Sequence, residues 1–141
     1  MPSLDKHTDI QSNIECLIGS RKSLLISSLN ADNLPEISAT PFIKIDTQFY
    51  IFISDLASHT QNIKRHPTLS IMLIEDEQDT KNIFARKRLS YECLATMINK
   101  EDVNWAPLLE KFETRLGNTV SVLKQLQDFH LFKLTATSGS Y

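Results

Sequence analysis

The segment "SHTQN" sets two hydroxyls, an imidazole and a carboxamide, Ser58, His59, Thr60 and Asn62, where a strand-like run gives way to helical spacing. Free N–H groups at a helix start, helped by the helix dipole and by hydroxyls beside it, suit an anion such as a phosphate or carboxylate. The plainer alternative is that Ser58 or Thr60 only caps the helix. A second group, "ARKRLSYE", sets Arg86 and Arg88 on one face of an extended run, with Lys87, Leu89 and Tyr91 on the other. Two guanidinium groups on one face could clamp a carboxylate or phosphate in bidentate fashion. Alternatively they form a solvated face that answers the acidic "EDEQD" upstream.

The four histidines, His7, His59, His66 and His130, show no H-x-x-x-H spacing, so no metal site of protein ligands alone is expected. A single histidine still suffices for heme iron, because the porphyrin supplies the other four donors. His66, next to Pro67, reads as the exposed end of a helix, and His130 as a core or dimer contact on a strand. There is no G-x-S-x-G, P-loop or G-x-G-x-x-G, and three glycines in 141 residues leave no glycine-rich nucleotide cradle.

The elements that must position these groups follow from periodicity. Ile10, Ile14, Leu17 and Ile18 recur at helical spacing and predict an amphipathic helix over about residues 9–19. "SLLISSL", "EISATPFIKI", "FYIFIS", "TLSIMLIED" and "ARKRLSYECLATMI" are strand-length apolar runs, and "DFHLFKLTAT" is a sixth. "NADNLP" and "DTQ" supply turns that make the first three strands an antiparallel meander. "HTQNIKRHP" is one or two helical turns ended by Pro67. Pro107, the stripe Leu108, Phe112 and Leu116, and Gly117 mark a later helix, followed by a short one with Val120, Leu123 and Leu126. The fold expected is mostly β: one domain over 1–141, a six-stranded antiparallel barrel over about 22–137 with a few peripheral helices.

Composition bounds the role. Hydrophobic residues at 41% and charged residues at 23% are those of an ordinary globular domain. A net charge of -2 argues against a nucleic-acid partner, so any bound anion must be held locally. Cys16 and Cys93, far apart, suit free thiols in a reducing compartment. The N-terminal stretch lacks the apolar core of a signal peptide or membrane span, and a cytoplasmic protein without membrane association is expected.

The succession "SIMLIEDE", a short loop and "FARKRL" is the most specific feature of the chain. With "PEISATPFI", "SHTQNIKRHPT", "LEKFETRLG" and "LKQLQDFHLFKL" it covers about residues 15–137. In these stretches the chain resembles the pyridoxamine-phosphate-oxidase-like, FMN-binding split-barrel superfamily, and within it the heme-utilization proteins of the HugZ/HutZ type. The resemblance implies a homodimer of six-stranded split barrels with ligands in clefts at the dimer interface. In flavin-binding relatives the turn after the third strand receives the FMN phosphate through a Ser followed by Arg and Lys; here Ser58 is followed by His59, Thr60 and Gln61. In the heme branch the same cleft serves heme, which is degraded with oxygen and an electron source, or held for use.

Carried over residue by residue, the resemblance makes His59 and Arg88 cleft-lining residues. It makes Asp128 an acid that orients the axial histidine of a neighbouring subunit. That axial histidine belongs to a C-terminal tail, whereas the present sequence ends at "TATSGSY". Two alternatives follow: a tail lost in nature or by truncation, and a protein that does not use that ligand. The function expected is a heme-binding protein of heme iron utilization, related to heme-degrading oxygenases, with the electron donor unidentified. The alternatives are an FMN-dependent oxidoreductase and a non-catalytic heme store.

Overall fold

A computed structural model describes residues 2–141, with side chains from Asp9 onward; His7 lies outside the described side chains. Helix α1 (Pro2–Ser20) leads into β1 (Ser23–Leu29), β2 (Pro35–Ile45) and β3 (Gln48–Ser54). Helix α2 (Ser58–Arg65) separates β3 from β4 (Thr68–Ile74), and a charged loop leads to β5 (Arg88–Ile98). Helices α3 (Trp105–Leu116) and α4 (Thr119–Leu123) precede β6 (Phe129–Ser140). The six strands close an antiparallel barrel in the order β1-β2-β3-β6-β5-β4, so no sheet edge is left open.

Turn chemistry sets the meander as expected. The Asn30 side chain accepts from the Asp32 and Leu34 N–H groups at 2.9 and 3.0 Å, and Asn33 takes the left-handed conformation at φ 60°. Two residues, Asp46 and Thr47, connect β2 to β3, with Asp46 at φ 54°. Gly117 ends α3 at φ 95°, where a side chain would be strained, and its N–H donates to the Glu113 carbonyl at 2.8 Å.

Two cores share the sheet. Phe42, Phe49, Ile51, Ile71, Leu89 and Phe132 fill the barrel interior, while Ile43, Leu108, Leu109, Phe112 and Leu131 pack α3 and α4 on the outside. Ile43 beside Phe42 and Leu131 beside Phe132 are therefore buried in succession, each neighbour facing a different core. Ile14, Leu17 and Ile18 of α1 pack on the barrel core, but Ile10, counted on the same stripe, is 45% exposed. No helix of the described residues is long and apolar enough to cross a membrane.

The strand expected from residue 85 begins only at Arg88. The Glu75 carbonyl accepts from the Arg86 Nε at 2.6 Å and its carboxylate from the Lys87 N–H at 3.0 Å, which turns the chain before the ladder starts. Arg86 is thus off the strand rather than two residues along it from Arg88.

Phe49, 1% exposed, lies between the rings of Phe42 and Tyr91, with centroids 5.8 and 5.5 Å away. Phe49→Ala is expected to cost about 3–5 kcal/mol through lost burial and the cavity left behind, read as a lower urea midpoint with unchanged slope.

Candidate functional site

Helix α2 begins at one end of the barrel, where β3 finishes. Its N-cap is Ala57, with no side-chain capping bond, so neither Ser58 nor Thr60 serves as the cap. The Thr60 hydroxyl, fully buried, donates to the Ser54 carbonyl at 2.5 Å, and the buried Asn62 amide donates to the Ser28 hydroxyl at 3.1 Å. These two residues fasten α2 to the sheet and face the protein. Ser58 instead donates from its hydroxyl to the Glu36 carboxylate of β2 at 2.9 Å.

His59 is 9% exposed, and its Nε2 is a buried atom with no hydrogen-bond partner. Burial lowers its pKa below the usual imidazole value, with the Glu36 charge opposing. A neutral imidazole with a vacant ring nitrogen is chemically a ligand or acceptor in waiting.

Asp128 stands on the same rim. Its carboxylate accepts from the Ser54 hydroxyl at 2.9 Å, and its carbonyl accepts from the Asp55 N–H at 2.7 Å. Beside it, Asp55 binds the Lys64 Nζ at 2.6 Å and the His130 Nε2 at 2.9 Å. Sequence reading missed Asp55, Lys64 and Glu36. Asp55 and His130 meet only because β3 pairs with β6, Ile53 opposite His130, across more than seventy residues of chain.

Arg86 and Arg88 lie at the opposite end of the barrel. Antiparallel pairing puts Leu29, Ser54, Thr68 and Phe129 at one end, and Ser23, Ile74, Arg88 and Ser140 at the other. There Phe84, Arg86, Lys87, Arg88, Met72 and Tyr141 line a cavity of about 350 Å³. Arg86 is partly engaged, by the Glu75 carbonyl and by Glu77 at 3.8 Å, so it does answer the acidic loop. Arg88 is exposed, with only a 3.4 Å bond to the Arg86 carbonyl. Phe84, 92% exposed, offers a bare ring beside these cations. Cations next to open aromatic surface suit a flat apolar molecule that carries carboxylates.

One protomer therefore brings Ser58, His59 and Asp128 to one rim, turns Thr60 and Asn62 inward, and holds Arg86 and Arg88 at the far end. No group of three His, Cys, Asp or Glu side chains able to hold a metal ion occurs among the described residues.

Comparison with known proteins places this geometry. The family described as pyridoxamine 5'-phosphate oxidase matches residues 10–141. The heme oxygenase HutZ of Vibrio cholerae serotype O1 is 36% identical over 121 residues, 86% of this chain and 69% of that protein. The crystal structure of HutZ, described as the heme storage protein of Vibrio cholerae, superposes with a TM-score of 0.86 at 33% identity, covering 92% of each chain. Campylobacter jejuni ChuZ superposes with a TM-score of 0.84 at 28% identity, covering 94% of this chain and 55% of that one.

The Asp55 cluster has a definite pH signature. Hydrogen bonds from Lys64 and then His130 pull the Asp55 carboxyl down from 3.8 to about 2. A folded pKa below the unfolded one adds stability that is present above 3.8 and lost as pH falls through about 2. Asp55→Asn is expected to lower the thermal midpoint at neutral pH, and the gap to the parent should close between pH 4 and 2 in a series of melts.

Proposed function

The chain belongs to the pyridoxamine 5'-phosphate oxidase family, in its HutZ branch, and on that premise we propose that it binds heme in heme iron utilization or storage. The observation that carries the choice of heme over FMN is the Ser58 to Glu36 hydrogen bond. A flavin phosphate docks at this helix start in the flavin-binding relatives that the sequence resembles. Here the Ser58 hydroxyl is already donated, and a carboxylate sits where a dianion would have to settle. Like charges at hydrogen-bonding distance oppose each other by several kcal/mol even in a partly solvated site, on the order of what a phosphate gains from one donor.

Heme asks for something different: cations for two carboxylates, apolar surface for a flat ring, and a nitrogen for iron. In this reading Arg86 and Arg88 hold the propionates while Phe84 and Tyr141 lie against the macrocycle. His59, buried with its Nε2 unpartnered, lies behind the rim on the iron side, and Asp128, fixed by Ser54, would orient an imidazole there. When bound, heme would supply an iron that takes a nitrogen ligand and binds dioxygen.

The two halves of such a site are at opposite ends of one barrel, so the proposal includes a homodimer in which one end of each copy meets the other end of its mate. An apolar strip formed by Leu25, Ile37 and Met72 runs along the outer face of β1, β2 and β4, and Ile37 is 74% exposed. Met72 and Ser90 belong both to this strip and to the basic cavity, so the surface a second copy would cover is continuous with the ligand site. A reducing, cytoplasmic setting is part of the reading and accords with the free thiols Cys16 and Cys93.

Absorbance titration tests the ligand. Hemin should give a saturable Soret shift at one per protomer, and Arg88→Ala should weaken it about tenfold, the loss of one charge-assisted hydrogen bond. FMN should leave its own spectrum unchanged; bound FMN with no hemin shift would overturn the proposal. In sedimentation velocity the parent should run as a dimer. Ile37→Asp, which places a charge on the apolar strip, should move it toward monomer and weaken hemin binding together.

A further inference from the structure

The outer face of the barrel holds a recess unrelated to either end. β3, β6 and β5 lie side by side, and their register puts Tyr50, Lys133 and Thr96 opposite one another in a single row. Directly opposed side chains in such a row have Cβ atoms about 5 Å apart, so a phenol, an ammonium and a hydroxyl form a continuous polar floor. Helix α3 roofs this floor and adds Lys111, and the preceding loop adds Asp102. Together they enclose a cavity of about 410 Å³ whose remaining walls include Ile45, Ile98 and Leu108.

The charges are unevenly satisfied. Neither Lys111 nor Lys133 takes part in an ion pair among the described residues. The opposing carboxylate, Asp102, is already engaged, accepting from the Asn104 N–H at 2.8 Å. Burial, with the Asp46 charge adding to it, keeps the Tyr50 phenol protonated, so its hydroxyl remains a donor. Two ammonium groups without ion-pair partners and the Tyr50 hydroxyl thus converge over apolar walls, with Asp102 on the loop and Asp46 at the end of β2 as the neighbouring carboxylates.

We propose that this recess is a second binding site, for a small monoanion with an apolar body, whose acid group is held by Lys111 and Lys133 and whose body lies on Ile45, Ile98 and Leu108. The volume falls in the range of small-molecule pockets, and few convergent polar groups among apolar walls are the usual make-up of one. The site goes beyond the heme reading and shares no residue with it. A second occupant of this size would sit under α3, the helix that covers the outer core, and would brace it against the sheet.

The probe is anilinonaphthalene sulfonate, an aromatic monoanion that fluoresces when held against apolar surface. Titration of the full chain should show one saturable site per protomer. The double variant Lys111→Gln, Lys133→Gln should weaken it about tenfold, as expected for loss of charge-assisted hydrogen bonds. Thr96→Phe, which fills the floor without changing charge, should weaken it comparably, and circular dichroism should report the parent fold for both variants. Lys22→Gln, an exposed cation that lines neither this recess nor the basic cavity, should leave the affinity unchanged. Retained binding in either recess variant, as a probe seated in the basic cavity would show, or binding lost equally in Lys22→Gln, overturns the proposal.

Discussion

The pairing of β3 with β6 is the constraint on which the rest of the structure depends. It joins segments that are far apart in the chain and closes the barrel, so that every strand is hydrogen-bonded on both sides. It also gives β3 and β6 two buried faces, one toward Phe49 and Phe132 and one toward Phe112 and Leu131. The loop-closure entropy of so long a connection is modest per added residue, and burial on two faces offsets it many times over. The same register delivers Asp128 to Ser54 and His130 to Asp55, so the polar rim is a by-product of barrel closure rather than a separately folded motif.

How much of this was legible in the sequence depends on the range of the interactions. The six strands, the meander and the helix stop at Gly117 rest on local periodicity and turn residues, and these were readable. Period-2 alternation could not reveal that Phe42 and Ile43 are both buried, because the second core exists only once α3 has docked. The α2 cap was misread for a similar reason. Ala57 holds the N-cap position and Ser58 lies one residue inside the helix, where its hydroxyl donates to Glu36, brought over on β2. Arg86 left the predicted strand because Glu75, at the end of β4, takes both its Nε and the next N–H. The sequence pointed to the acidic "EDEQD" as the partner of the arginines, but nothing local pointed to Glu36 for Ser58 or to the docking of α3 over Ile43.

Charge is arranged by position more than by amount. A chain with a net charge of -2 sets Arg86, Lys87 and Arg88 beside Glu75, Asp76, Glu77 and Asp79 at one barrel end, and Glu36, Asp55 and Asp128 together with Lys64 and Arg65 at the other. At the second end Asp55 is paired with Lys64 and bonded to the His130 ring, and Asp128 accepts from the Ser54 hydroxyl. At the first end Glu77 and the Glu75 carbonyl engage Arg86 and the Glu75 carboxylate lies against Lys87, while Arg88 has no carboxylate partner among the described residues.

Under the proposed dimer, the separation of the two half-sites ties ligand binding to association. Each copy contributes an imidazole rim to one site and a guanidinium end to the other, so neither site is complete in a lone protomer. A ligand that touches both halves binds the dimer and not the monomer, and mass action then requires that it strengthen the dimer by the same factor by which dimerisation strengthens its own binding. The exposed strip at Ile37 has a part in this coupling, because its burial supplies an association energy that does not vary with ligand. The charged ends supply the part that does. A protein built this way can hold its ligand tightly at high protein concentration and release it on dilution, with no change of shape inside either barrel.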